Sequence, residues 1–206
     1  MGGDPADVLG AECGRVSEVV LGLEEGDFAR PTRCPPWDVR ALLGHMWRDL
    51  DRVVTYLAEP TPEAPDTDSV SYWRSYNPVA EGPLISARSY EVAGRFGEVA
   101  RGFDPGRLLR TRLAAIRLDE FLRTRVVELA VHGLDMSDAL GREPWITAGG
   151  SAVTREILVG LLGVEPPATL GWDDLTFIET GTGRRPLTPE DRNLLGDRAA
   201  GFPLLA

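Results

Sequence analysis

The segment from Asp119 to Leu140 constrains this chain more than any other. Leu118, Leu122, Val126, Leu129, Met136 and Leu140 recur at helical spacing on one face, and Gly141 supplies the stop. A helix of that length must bury its apolar stripe against other elements. The rest of the chain offers more helices. Asp7 to Leu23 carries Val8, Leu9, Val16, Val19, Val20 and Leu23, and Glu24-Glu25-Gly26-Asp27 ends it. Asp38 is an N-cap for a second helix reaching about Leu57, with Val39, Leu42, Leu43, Met46, Leu50, Val53, Val54 and Leu57 as its stripe. A third helix is expected over Leu84 to Phe103, and another from about Gly150 to Leu162.

Arg30 to Pro36 contains three prolines and reads as a rigid extended connector, because each proline biases its predecessor away from helix. Ala58 to Pro83 is a long acidic crossover carrying Tyr72, Trp73 and Tyr76; a loop of this length is usually functional or packs as a lid. Asp104-Pro105-Gly106 is a turn, and Arg107 to Arg117 matches no pattern clearly. No strand is convincing, although Leu175 to Glu179 is a candidate for a short one. The tail, Pro166 to Ala206, has short elements, a proline-capped helix near Thr188-Pro189-Glu190, and Trp172 as the residue expected to dock it. The expected fold is therefore mainly all-α: a four-helix bundle over residues 1–145 with one long crossover, and a short C-terminal extension over 146–206 packed on it. A length of 206 residues suits one such domain with an appendage.

Charge narrows the function. Twenty-two basic residues against 32 acidic ones leave a net charge of −10, which argues against nucleic acid or anionic membrane as a partner. No apolar run approaches the ~20 residues of a membrane span, and the N-terminus has no secretory signal, so a cytoplasmic protein is expected. Two cysteines, Cys13 and Cys34, make no disulfide framework. Every basic residue is arginine, so Schiff-base chemistry on lysine is excluded.

The chain has only two histidines. His45 falls in the second helix and His132 in the long one, with Glu128 four residues before it on the same face. At ~100° per residue, His45 sits about 120°, and Glu128 and His132 about 80–120°, from the centres of their apolar stripes. Side chains at such shoulders can converge across a bundle opening. Two imidazoles and a carboxylate suit a divalent metal, zinc foremost, and three protein ligands leave a coordination position open. From spacing alone the alternative stands beside it: Glu-x-x-x-His is more often a solvated pair, and a lone histidine a surface or satisfied core residue. Cys34, upstream of a helix N-terminus, is either a nucleophile, a fourth ligand or a small packing residue. Cys13 reads as packing. Asp49, one turn after His45, either approaches the metal or faces water.

Two motifs resemble a known family. Arg33-Cys34-Pro35-Pro36-Trp37-Asp38-Val39-Arg40-Ala41-Leu42-Leu43-Gly44-His45 is similar to the Cys-Pro-Gly-Trp-x-Val-x-x-Leu-x-x-His segment of the mycothiol-dependent maleylpyruvate isomerase family, with Pro36 in place of the glycine. Arg125 to Asp135 resembles its second signature, Glu-x-x-x-His-x-x-Asp. The resemblance spans about residues 7 to 141 and implies a DinB-like four-helix bundle of actinobacterial type. It implies a divalent metal held by His45, Glu128 and His132, and mycothiol as co-substrate. Asp135 would either orient the His132 ring or be a solvated charge. The expected activity is S-transfer or thiol-assisted isomerisation of a small electrophile by a monomer or homodimer. The alternatives are a zinc hydrolase or lyase that needs no thiol, and a non-catalytic binding or stress protein of the same fold.

Overall fold

The computed structural model describes residues 3–75, 104–111 and 113–205. Within them the protein is mainly helical. Helix α1 (Pro5–Leu21) starts on Asp4, whose side chain accepts from the Ala6 N–H, with proline at its first position. Helix α2 (Val39–Ala58) starts on Asp38, which accepts from the Ala41 N–H at 2.8 Å. Helix α3 (Ser69–Ser75) follows in the crossover. A hairpin, β1 (Leu108–Arg110) and β2 (Ala115–Arg117), leads directly into α4 (Leu118–Leu140). Gly141 ends α4 in the left-handed conformation at φ 62°, where a side chain would strain the backbone. Then come α5 (Ala148–Leu162), α6 (Asp174–Gly181) and α7 (Pro189–Leu195). No helix among the described residues is long and apolar enough to cross a membrane.

Helix α4 is the axis of the molecule. It packs against α1, α2, α3 and α5, so it is buried on nearly all sides rather than along one stripe. Leu9 and Val16 of α1, Leu42, Met46 and Leu50 of α2, Phe121 and Leu129 of α4, and Ile157 of α5 belong to one continuous apolar cluster, which reaches Phe177 and Ile178 of α6. Burial of this kind contributes roughly 1.5–3 kcal/mol per large side chain before conformational entropy is subtracted.

Four local expectations change. Arg107 to Arg117 is the antiparallel hairpin, registered Leu108 to Arg117 and Leu109 to Ile116, with Leu109 and Ile116 buried. Strands of three residues are too short to show alternation in sequence. Leu175 to Glu179 is helical and not a strand, because Asp173 caps α6 by accepting from the Thr176 N–H at 2.7 Å. The crossover contains α3, started by Asp68 accepting from the Ser71 N–H and anchored by buried Tyr72 and Trp73. The proline-rich connector is a closed loop, not an extended one. Thr32 donates its backbone N–H and its hydroxyl to the Trp37 carbonyl, and Val39 N–H bonds the Arg30 carbonyl, so the two ends meet. Trp172 packs against the apolar cluster, stacked on Phe177, edge-on to Phe202, and donating to Asp191 at 3.1 Å. The helix expected over 84–103 lies outside the described residues.

Candidate metal centre

The site forms where α2 crosses α4. On α4, Arg125, Glu128, His132 and Asp135 follow one another at three- and four-residue steps, which puts them on one helix face. They form a polar stripe along a helix that is otherwise packed in apolar surroundings. On α2, His45 and Asp49 are one turn apart and face that stripe. All of these except His132 are buried, and His132 is nearly so.

Glu128 is the centre of the group. Its Oε2 lies 3.4 Å from Nε2 of His45 and 3.3 Å from Nε2 of His132. The three ligating atoms lie within 4.8 Å of one another. Two donors held tetrahedrally at ~2.0–2.1 Å from zinc stand ~3.3 Å apart, so the spacing of Glu128 to each imidazole suits a shared small cation. The donor types suit it too. The imidazole rings of His45 and His132 are edge-on, with centroids 5.0 Å apart, and the Trp37 ring covers His45 at 4.8 Å.

Burial alone would push the Glu128 carboxyl up. Hydrogen bonds from His132 and His45 and the Arg125 charge outweigh it and hold Glu128 well below the usual carboxylate range. Burial likewise disfavours a charged His132, but hydrogen bonding to Asp135, Cys34 and Glu128 holds that imidazole well above its ordinary pKa. The two shifts are reciprocal: the carboxylate and the imidazole each favour the charged form of the other. Asp49 shifts the other way, raised by burial and by the nearby Glu128, against the opposing pull of Arg125, His45 and Arg52. Its Oδ1 accepts from Arg52 at 2.5 Å, and its Oδ2 is 3.3 Å from Arg125 and 3.4 Å from His45.

The other edge of the His132 ring belongs to a second cluster. Nδ1 lies 2.9 Å from Asp135 Oδ2. Asp135 is held ionised: burial raises it, but His132 and Arg184 lower it further than that. An ionised carboxylate only accepts, so Nδ1 carries the proton. The Cys34 thiol donates to the same Oδ2 at 3.1 Å and sits 4.0 Å from Nδ1. Cys34, His132 and Asp135 thus also bring metal-ligating atoms together. This cluster already holds a cation. The guanidinium of Arg184 spans Asp135 with Nε 3.0 Å from Oδ1 and Nη2 2.7 Å from Oδ2, and reaches within 3.9 Å of the Cys34 sulfur.

The structure therefore brings His45, Glu128 and His132 together and buries Asp135 completely, so Asp135 is not a solvated charge. Cys34 stands on the Nδ1 side of His132 while Glu128 stands on the Nε2 side. The two groups of metal-ligating atoms, Cys34 with His132 and Asp135, and His45 with Glu128 and His132, have only His132 in common. Cys34 is also not simply packing, since its partners are polar. Sequence reasoning missed Arg125 and Arg184. Arg125 had a signal, an arginine three residues before Glu128 on a helix with few polar positions. Arg184 had none, being a tail residue 49 positions beyond Asp135.

A mainly helical fold with two imidazoles and a carboxylate converging between two of its helices defines a bundle protein with a metal-ligand constellation. The family model of the mycothiol maleylpyruvate isomerase N-terminal domain matches residues 9–137, more than half of the chain, and the protein belongs to that family. No curated protein and no solved structure gives a significant match.

Proposed function

We propose that this protein is a divalent-metal-dependent enzyme that uses a low-molecular-weight thiol, mycothiol, for S-transfer to a small electrophile or for its thiol-assisted isomerisation. The observation that carries the proposal is the convergence of His45 Nε2 and His132 Nε2 on Glu128 Oε2, at 3.4 and 3.3 Å, with the three ligating atoms within 4.8 Å of one another. The family's name supplies the thiol. His45, Glu128 and His132 would hold the metal, zinc by donor type, and no other protein ligand is required. Bound there, such an ion supplies Lewis acidity that stabilises a thiolate at neutral pH.

The chain's own residues prepare that place. Asp135 accepts the Nδ1 proton of His132 and so leaves Nε2 as the coordinating atom. Arg125, fully buried, lies 4.0 Å from Glu128 and adds to the hydrogen bonds from His132 and His45 in favouring its carboxylate. Trp37 shields one face of His45 from water. Use of such a thiol implies work in the cytoplasm.

Metal content by mass spectrometry on tag-free protein, with His45→Ala and Glu128→Ala beside it, is the test. Near one equivalent in wild type, lost in both variants while helical circular dichroism survives, followed by turnover that requires added thiol, is the expected result. Wild type that cannot be loaded with zinc, nickel or iron would sink the proposal. Turnover without thiol would replace it by a hydrolase.

A further inference from the structure

We infer that Arg184 is a positioning residue for His132. Acting through Asp135, it fills the second cation cluster and holds the imidazole with Nδ1–H on Asp135 and Nε2 toward Glu128 and His45. The inference rests on the metal reading above for what Nε2 is presented to.

Arg184 is itself fixed on every side. Its backbone N–H bonds the Glu179 carbonyl at 2.7 Å, and its Nη1 donates to the Thr182 carbonyl at 2.7 Å. Thr182 is buried and returns its hydroxyl to the Ile178 carbonyl of α6. The Arg184 side chain is 14% exposed, and its guanidinium lies in the fork geometry that matches a carboxylate with two parallel bonds. Asp135 is thereby held from the tail by Arg184, from the loop before α2 by Cys34, and more distantly by Arg33, whose Nε is 3.5 Å from Oδ1.

Two consequences follow for His132. Two of the close donors that orient the Asp135 carboxylate come from Arg184, so without them the acceptor for Nδ1 keeps only Cys34 and the more distant Arg33 beside His132 itself and is less firmly oriented. Without the guanidinium, Cys34 Sγ, Asp135 and His132 Nδ1 also become an open set of ligating atoms. A soft metal binding there would use the wrong nitrogen of the same ring. Arg184 thus orients the proper nitrogen and occludes the improper site. It does so from outside residues 9–137, the span that the family model matches. The metal-binding geometry is completed by the C-terminal tail.

The test compares zinc affinity, by competition with a chromophoric chelator at neutral pH, in wild type, Arg184→Met, Arg184→Lys and Arg185→Met. Arg185 serves as the structural control: it bonds Thr180 and approaches Asp191 within the same tail but does not reach Asp135. Arg184→Met should lose ~10–100-fold in affinity, the range for residues that orient ligands. Arg184→Lys should recover part of it, and Arg185→Met should bind like wild type even if it melts earlier. Cobalt-loaded Arg184→Met should show a sulfur-to-cobalt charge-transfer band that is absent in wild type and abolished by adding Cys34→Ser. In the metal-free protein, the hydrogen-bonded Nδ1 proton of His132 should give a downfield NMR resonance that Arg184→Met loses. Unchanged affinity together with an unchanged Nδ1 resonance in Arg184→Met would overturn the inference and leave the metal reading intact. Wild type that takes up no zinc overturns the metal reading, and the Nδ1 resonance then decides the inference by itself.

Discussion

Oε2 of Glu128 lies 3.4 Å from Nε2 of His45, across the interface between α2 and α4. That relationship makes Glu128→Gln the most informative conservative change. The amide keeps the volume but offers no charge to a cation, and its NH₂ cannot accept from either ring. Zinc affinity should fall by more than ~100-fold, beyond the ~10–100-fold typical of residues that only support ligands. Chelator competition and circular dichroism measure it; equal affinity in the variant would remove Glu128 from the ligand set.

The two cysteines should differ sharply in reactivity. Cys13 is fully buried in α1, and burial first, then the neighbouring Glu12 charge, push its thiol up to about 12. Cys34 is partly exposed in the loop before α2. An aromatic disulfide reagent should titrate one thiol in the native protein and two in denaturant. Cys34→Ser should abolish the native signal.

Gly150 allows the N-terminus of α5 to close on α1. A Cβ there would collide with the Glu12 carboxylate, which accepts from both the backbone N–H and the hydroxyl of Thr147. Glu12 is buried and cannot swing aside into water. Gly150→Ala should cost about 1–3 kcal/mol despite the better helix propensity of alanine. Urea denaturation is the measurement, and a neutral or stabilising effect would contradict this packing.

Glu12 also sets a pH dependence. Burial raises its pKa, and the two bonds from Thr147 only partly offset that. A carboxyl raised in the folded state contributes stability that is fully present below its unfolded pKa, about 4.3, and is lost as pH rises through the folded value. Wild type should therefore lose stability relative to Glu12→Gln as pH climbs from about 4.3 upward. Denaturant midpoints for the two proteins across weakly acidic pH should diverge in that sense; the opposite divergence would mean that Thr147 dominates.

Arg125 has no exposed surface, and Asp49, equally buried, lies 3.3 Å from it. Removing one member of a buried pair typically costs about 3–5 kcal/mol, whereas replacing both by apolar groups often does not. Asp49→Ala should lie in that range, and Asp49→Leu with Arg125→Met should recover much of the loss. Thermal melts of the metal-free proteins separate the cases.

How much of this was legible beforehand depends on the range of the interaction. The helix starts at Asp38 and the stop at Gly141 could be read because a cap acts within a few residues of itself. Glu128 and His132 could be paired because their spacing is a property of one helix. The hairpin of β1 and β2 escaped because three-residue strands carry no period, and the closure of residues 31–38 escaped because it depends on Thr32 reaching the Trp37 carbonyl.

The amino-acid order by itself determined the long helices and the side chains each presents, since backbone periodicity and capping are local. It placed His45 on one helix and Glu128 and His132 on another, and nothing local says that those helices touch. Packing around α4 closed that gap, and it turned expected shoulder positions into buried ones by laying α2 over them. Arg184 shows the limit most clearly. An arginine in a tail has no periodicity to betray it, and only the folded chain, by bringing it to a buried carboxylate that needs a cation, makes it part of the site.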